Sequence, residues 1–328
     1  MADESPLAAP AGDAEQRVQA RRAEPGKVSR SPFGADDQIG MLNLMTSEST
    51  RDVLARADGG HVIDLSVDVF VGMPTWTAGG EPPFQMWMEH TPRGSAVDDP
   101  IGVGRAQNEK VSWSADAMSM FVHSGTHIDT LNHFGYDGRI WNGFSADEHL
   151  GSKHWNVAGA DMMPPIIARG VLIDVAADQG VDVLPDSFGI GPAELESAMS
   201  AQGVELRVGD VVLVRTGRGS LWPDAARYLP REPGLTLDGA RLLAEAGAIA
   251  IGADNIALEQ LPSADPDNWM AVHTYLLAES GVPIIEVLDL EQLSRERLFE
   301  FAFFGSCMKI RGATGGPMRP LAMPFREP

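Results

Sequence analysis

The segment from Phe121 to Phe134, FVHSGTHIDTLNHF, constrains this chain more than any other stretch. His123, His127, Asp129 and His133 fall within it, and imidazole and carboxylate are the nitrogen and oxygen donors that borderline divalent cations bind. Their even spacing would put all four on one face of a strand. A straight strand fails, because at ~3.3 Å per residue His123 and His127 stand roughly 13 Å apart, too far to share an ion comfortably. A regular helix brings those two histidines together but turns Asp129 away, and Gly125 inside it costs about 1 kcal/mol relative to alanine. The chain must therefore bend, and Gly125 is the residue that tolerates the necessary backbone angles.

The rest of the 328 residues sets the frame for that cluster. With 44% hydrophobic and 22% charged residues, the chain can bury a large single core. A formal net charge of -21 gives an acidic surface that repels nucleic acid and anionic membranes, so neither is an expected partner. Cys307 stands alone, which rules out an intrachain disulfide and fits a cytoplasmic location; it reads as a buried, inert thiol in a strand. No apolar run reaches the roughly 18 residues of a membrane span, and no secretory core is visible in the first thirty residues.

Residues 1–32 are rich in Ala, Pro, Glu, Ser and Arg without apolar period and read as a mobile tail, leaving 33–328 as the folded domain. Ser47–Ala57 reads as a helix stopped by Gly59 and Gly60, and His61–Phe70 as a strand leaving through the Gly72-Met73-Pro74 turn. Residues 79–104, dense in Pro, Gly and Asp, read as a long surface loop. Beyond the cluster the pattern alternates between strand and helix: strands at 170–175, 210–216, 248–252 and 283–288, helices at 192–201 and 236–246, and a helix capped by Asn268 that carries His273 to Ser280. Glu286 lies inside the apolar run of the last strand, where a carboxylate is costly unless paired or bound to a cation. The glycine-rich pieces at 217–219 and 312–316 lack the strand–loop–helix context of a nucleotide site and read as turns.

His123-Ser124-Gly125-Thr126-His127-Ile128-Asp129, followed by His133, resembles the HxGTHxDxPxH motif of the cyclase family, which includes bacterial kynurenine formamidases and isatin hydrolases. Asp64-Leu65-Ser66, the Gly-Met-Pro turn and the segment from Lys309 to Arg319 also resemble that family, so the likeness covers most of Asp36 to Arg319. It implies an α/β, swivelling β/β/α single domain. It implies a zinc or manganese ion on His123, His127 and Asp129, with His133 moving protons. His273 and Glu286 resemble the family's C-terminal pair, as catalytic residues or as ligands of a second ion. The expected activity is hydrolysis of a cyclic or aryl-linked amide, or of a lactone, in a homo-oligomer, dimer or tetramer. Kynurenine formamidase proper, a metal-dependent cyclase or lyase, and a non-enzymatic metal-binding protein are the other readings. Two positions depart from the pattern. Leu131 stands where the formamidases have proline, and Ala257 ends a segment, Asp254 to Ala257, that elsewhere ends in serine. Trp76 is a candidate wall for a flat substrate, with Phe33, Phe84, Trp87 and Trp141 as further aromatic candidates.

Overall fold

The computed structural model describes residues 11–20, 25–229 and 231–326. Thirteen strands run through the described residues: β1 (Ile63–Asp64), β2 (Gln85–His90), β3 (Ala115–Ser119), β4 (His127–Asp129), β5 (Ile166–Asp174), β6 (Gly189–Ile190), β7 (Val211–Arg215), β8 (Gly234–Leu235), β9 (Ala250–Ala253), β10 (Ile284–Glu286), β11 (Glu300–Gly305), β12 (Gly315–Pro317) and β13 (Leu321–Pro324). Nine of them form one sheet in the order β1-β13-β11-β5-β7-β9-β10-β4-β12. Its centre, β5, β7, β9 and β10, is parallel, and the flanking strands join antiparallel.

The parallel centre follows from its sequence. Val211 to Val214, Ala250 to Ala253, and Ile284 and Ile285 are buried without alternation, as strands covered on both faces must be. The helix Pro192–Gln202 starts with proline in its first turn and ends at Gly203 in the left-handed conformation. The helix Leu237–Glu245 is capped by the Thr236 side chain, which accepts from Gly239 N.

Four expectations are corrected. Only Ile63–Asp64 of the stretch 61–70 pairs as a strand, with Ser66 making a single bridge to Leu288. The expected loop at 79–104 contains β2 and the helix Pro92–Asp98, and β2 pairs with β3 as a separate antiparallel hairpin. Its residues Gln85 to Glu89 are all exposed, so the apolar alternation that marks a half-buried strand is missing. The helix after Asn268 begins at Ala271 and continues from Thr274 to Ser280 as a π-helix, a form associated with functional sites. Within the tail, residues 25–32 are tied to the domain: Ser29 N donates to Ala278 O at 3.0 Å, Gly26 N to Glu279 Oε1 at 3.0 Å, and Ser31 N to Asn142 Oδ1 at 3.0 Å. Polar donors meeting fixed acceptors give this segment an order that its composition conceals. The helix Ala11–Ala20 is likewise described, with Val18 buried, while residues 1–10 and 21–24 lie outside the described residues.

Candidate metal and catalytic centre

β4 is short, and its position in the sheet assembles the site. His127 and Asp129 are two residues apart and share a face, while Ile128 between them packs into the core. The antiparallel register sets Glu286 of β10 directly opposite His127. On its other edge β4 pairs with β12, where a side chain at Gly315 would come 2.7 Å from His123 Cε1; glycine there lets the imidazole lie close against the strand. The bend expected before β4 is present, with Gly125 at a φ of 62°.

The expected trio gathers around one carboxylate. His123 Nδ1 donates to Asp129 Oδ1 at 2.6 Å, and His127 Nε2 lies 3.3 Å from the same oxygen. Glu286 joins on the His127 side, its Oε2 at 3.3 Å from Nε2. His133 joins on the other side, with Nε2 at 3.8 Å from Asp129 Oδ2 and its ring stacked on His123 at 3.9 Å. His273 Nε2 reaches Glu286 Oε1 at 3.2 Å and Asp129 Oδ2 at 3.6 Å. Donor atoms of His127, Asp129 and Glu286 lie within 4.8 Å of one another, as do those of His123, Asp129 and His133, so Asp129 belongs to both groups. All six candidate residues for chemistry therefore meet at one place.

The donor set fits a divalent cation. His127 Nε2, Asp129 Oδ2 and Glu286 Oε1 are buried, and among the described residues they have only ion-pair neighbours at 3.2–3.8 Å and no aligned hydrogen bond. Each such atom costs about 1–3 kcal/mol when left unpaired, so three at one point make sense where a ligand supplies the missing bonds. The electrostatics agree. Burial acts to lower the pKa of His127, but the Asp129 and Glu286 carboxylates outweigh it and raise the imidazole to about 10. A place that grips a proton so firmly is a place that stabilises positive charge. Asp129, despite burial, is held well below the usual carboxylate range by the surrounding histidines. His133 goes the other way, lowered well below 6.5 chiefly by burial, with Asp129 opposing and the other imidazoles reinforcing.

Two residues absent from the sequence reading fix the ring orientations. Glu259, buried, accepts from His273 N at 3.0 Å and pairs with His273 Nδ1 at 2.8 Å, which turns Nε2 toward the carboxylates. Thr314 Oγ1 lies 2.9 Å from His123 Nε2. The only sequence cue for Glu259 was an acid ending the apolar run from Ile256 to Leu258. Above the cluster opens a cavity of about 120 Å³ lined by Trp76, Phe121, Phe134, Ile256, Ala257, Trp269 and Met270, with Glu81 at its side and His123, His133, His273 and Glu286 in its floor. Trp76 is among the residues that line it. Phe84 and Trp141 are instead buried in the fold, Trp141 donating to Asp37 Oδ2 at 3.0 Å; Trp87 is on the exposed hairpin and Phe33 packs against the core. Leu131 is fully buried beside Gly40 and does not line the cavity, whereas Ala257 does.

The Cyclase family model matches residues 63–260, more than half of the chain. The chain belongs to the cyclase family. That match contains the whole motif segment, while His273 and Glu286 lie beyond it. Kynurenine formamidase from Bacillus cereus is 25% identical over 268 residues, covering 80% of this chain and 97% of that protein. The Bacillus mycoides kynurenine formamidase is 26% identical over 229 residues, covering 66% and 87%. Among solved structures, a novel cyclase superposes with a TM-score of 0.78 at 28% identity, over 89% of this chain and 96% of the other. Isatin hydrolase A from Ralstonia solanacearum gives 0.61 at 21% identity, over 80% and 92%, and shares the fold. The swivelling β/β/α α/β domain expected of the family is the fold found. No helix among the described residues is long and apolar enough to cross a membrane.

Proposed function

We propose that the chain is a metal-dependent hydrolase that splits the C–N bond of a cyclic or aryl-linked amide. Water adds across that bond: the acyl carbon gains the hydroxyl and the nitrogen leaves with a proton. The observation that carries this reading is the set of buried, incompletely bonded ligand atoms on His127, Asp129 and Glu286 beneath an aromatic-walled cavity. The names of the formamidase and isatin hydrolase relatives support it.

His123, His127 and Asp129 would hold the cation, zinc or manganese, with Glu286 as a further donor beside His127. Such an ion supplies Lewis acidity, polarising a carbonyl and lowering the pKa of water toward neutrality. His133, kept neutral and facing the cavity, takes the proton from the attacking water and returns it to the departing nitrogen. His273, fixed by Glu259, holds the Asp129 and Glu286 carboxylates in place. Trp76 and Phe134 flank the reacting group and exclude bulk water. The same attack serves a lactone carbonyl, so lactones belong to the proposed range.

Kynurenine formamidase proper is the second reading. It is favoured by the near-complete coverage of the Bacillus cereus enzyme, and Leu131, where the motif departs from the formamidases, is buried away from the cavity. Elemental analysis of protein purified without chelator, joined to assays on isatin, N-formylkynurenine and simple lactones, tests both. A stoichiometric divalent metal and turnover of one class are expected; metal-free protein, or no turnover of any class, overturns the proposal. We also place the chain in the cytoplasm, on its single cysteine, and in a homo-oligomer. The exposed Met86, Trp87, Met88 and Met118 of the hairpin support the latter, and sedimentation should give a dimer or tetramer.

A further inference from the structure

Apart from the histidine–carboxylate floor, the cavity has apolar or aromatic walls with one exception, Glu81. Its Oε2 accepts from Gly79 N at 2.8 Å, which holds the carboxylate in a tight turn, and Oε1 carries no hydrogen bond within the described residues. Glu81 makes no ion pair there either, so its charge is not spent on the fold. Trp76, Phe121 and Trp269 line the same cavity, and Trp269 is 67% exposed. Aromatic faces are electron-rich and attract cations within about 6 Å of the ring, and a carboxylate beside them adds direct attraction. An anion in the same place meets repulsion from both.

We infer that Glu81, with Trp76, Phe121 and Trp269, forms a seat for a cation, and that the substrate is an amide whose ring system carries an ammonium group. This deepens the proposed function, since it rests on the cavity being the reaction site. Glu81 is then a specificity-determining residue that bonds to the part of the substrate that does not react. A carboxylate-bearing analogue of the same shape is rejected there.

The test separates charge from shape. Benzylammonium, benzyl alcohol and benzoate are titrated into the metal-loaded protein, read by quenching of the tryptophan emission to which Trp76 and Trp269 contribute. Benzylammonium is expected to bind about ten-fold tighter than benzyl alcohol, a factor worth about 1.4 kcal/mol. In Glu81→Gln, which keeps an acceptor for Gly79 N but loses the charge, that ratio should fall toward one, and Glu81→Asp should retain more of it. An unchanged ratio in Glu81→Gln, or no preference for benzylammonium in the wild type, overturns the inference. Hydrolysis of the amide panel is read separately. Cation preference without turnover would sink the reaction and keep the seat, while turnover without cation preference would sink only the seat.

Discussion

The floor and the walls of the cavity break the ordinary burial rule in opposite directions. The floor includes the residues directly beneath it, where His127 is 0% and Asp129 1% exposed, polar groups removed from water without a full set of partners. At the wall, Trp269 is 67% exposed, an apolar surface left in water. Each departure costs free energy that folding alone does not return. Under the proposed function a cation would make good the floor and a substrate ring the wall. This division assigns chemistry to the floor and selection to the wall, and substitutions should divide the same way.

The largest effect belongs to the floor. His127→Ala removes the donor that faces both carboxylates, and it is expected to lose the bound metal and bring turnover to background, with elemental analysis and rate measured on one preparation. Retained metal together with full activity would abolish the division. His133→Ala should lower kcat by about 10²–10⁴-fold, the usual contribution of a positioned base, while metal content stays. The pH profile sharpens this. His133 acts when neutral and burial holds its pKa well below 6.5, so activity is lost only as pH falls through that depressed value. The acid limb should therefore lie below 6.5, and a limb above it would give the proton to another group.

Glu259→Ala should act one step removed. With nothing on Nδ1 to set its orientation, His273 loses its aim at Asp129 and Glu286. A loss of about 10–100-fold in metal affinity is expected, measured by competition with a chelator. Glu259→Gln, which can still bond the ring, should recover part of that loss. An unaltered affinity in Glu259→Ala would leave Glu259 only its bonds to the backbone at Val272 and His273.

How much of this was legible in the chain depended on how far apart the partners lie. The cluster from His123 to His133 announced itself because its donors fall within eleven positions and Gly125 supplied the bend. Glu286 was visible only as a carboxylate misplaced in an apolar run. Its partner became defined when the register of β4 and β10 set it opposite His127. Glu259 and Thr314 left almost no local signal, since each acts by a contact made 14 or 191 residues away. The parallel strands were readable from their continuous apolar runs. The β2–β3 hairpin was not, because its first strand is exposed along nearly its whole length. Leu131 was readable as a departure from the motif but not as a core residue, because sequence alone does not say which side of a bend faces the core.

That buried position supplies a control for the comparison. Leu131→Ala empties a fully buried position outside both floor and wall, so it should lower stability by about 2–5 kcal/mol in denaturant unfolding and leave the order of substrate preference unchanged. A changed order would mean that the core beside the bend reaches the cavity. Ala257→Ser should do the reverse and least of all. It adds one hydroxyl to the wall, and a single neutral hydrogen bond contributes about 0.5–1.5 kcal/mol, so KM for an amide able to accept that bond should fall by at most about ten-fold. Stability should move little and metal content not at all, since the substitution adds one oxygen at a cavity-lining position that is not among those proposed to hold the cation. If kcat fell along with KM, the hydroxyl would be reaching the reacting carbonyl, and the boundary between wall and floor would have to be drawn below Ala257.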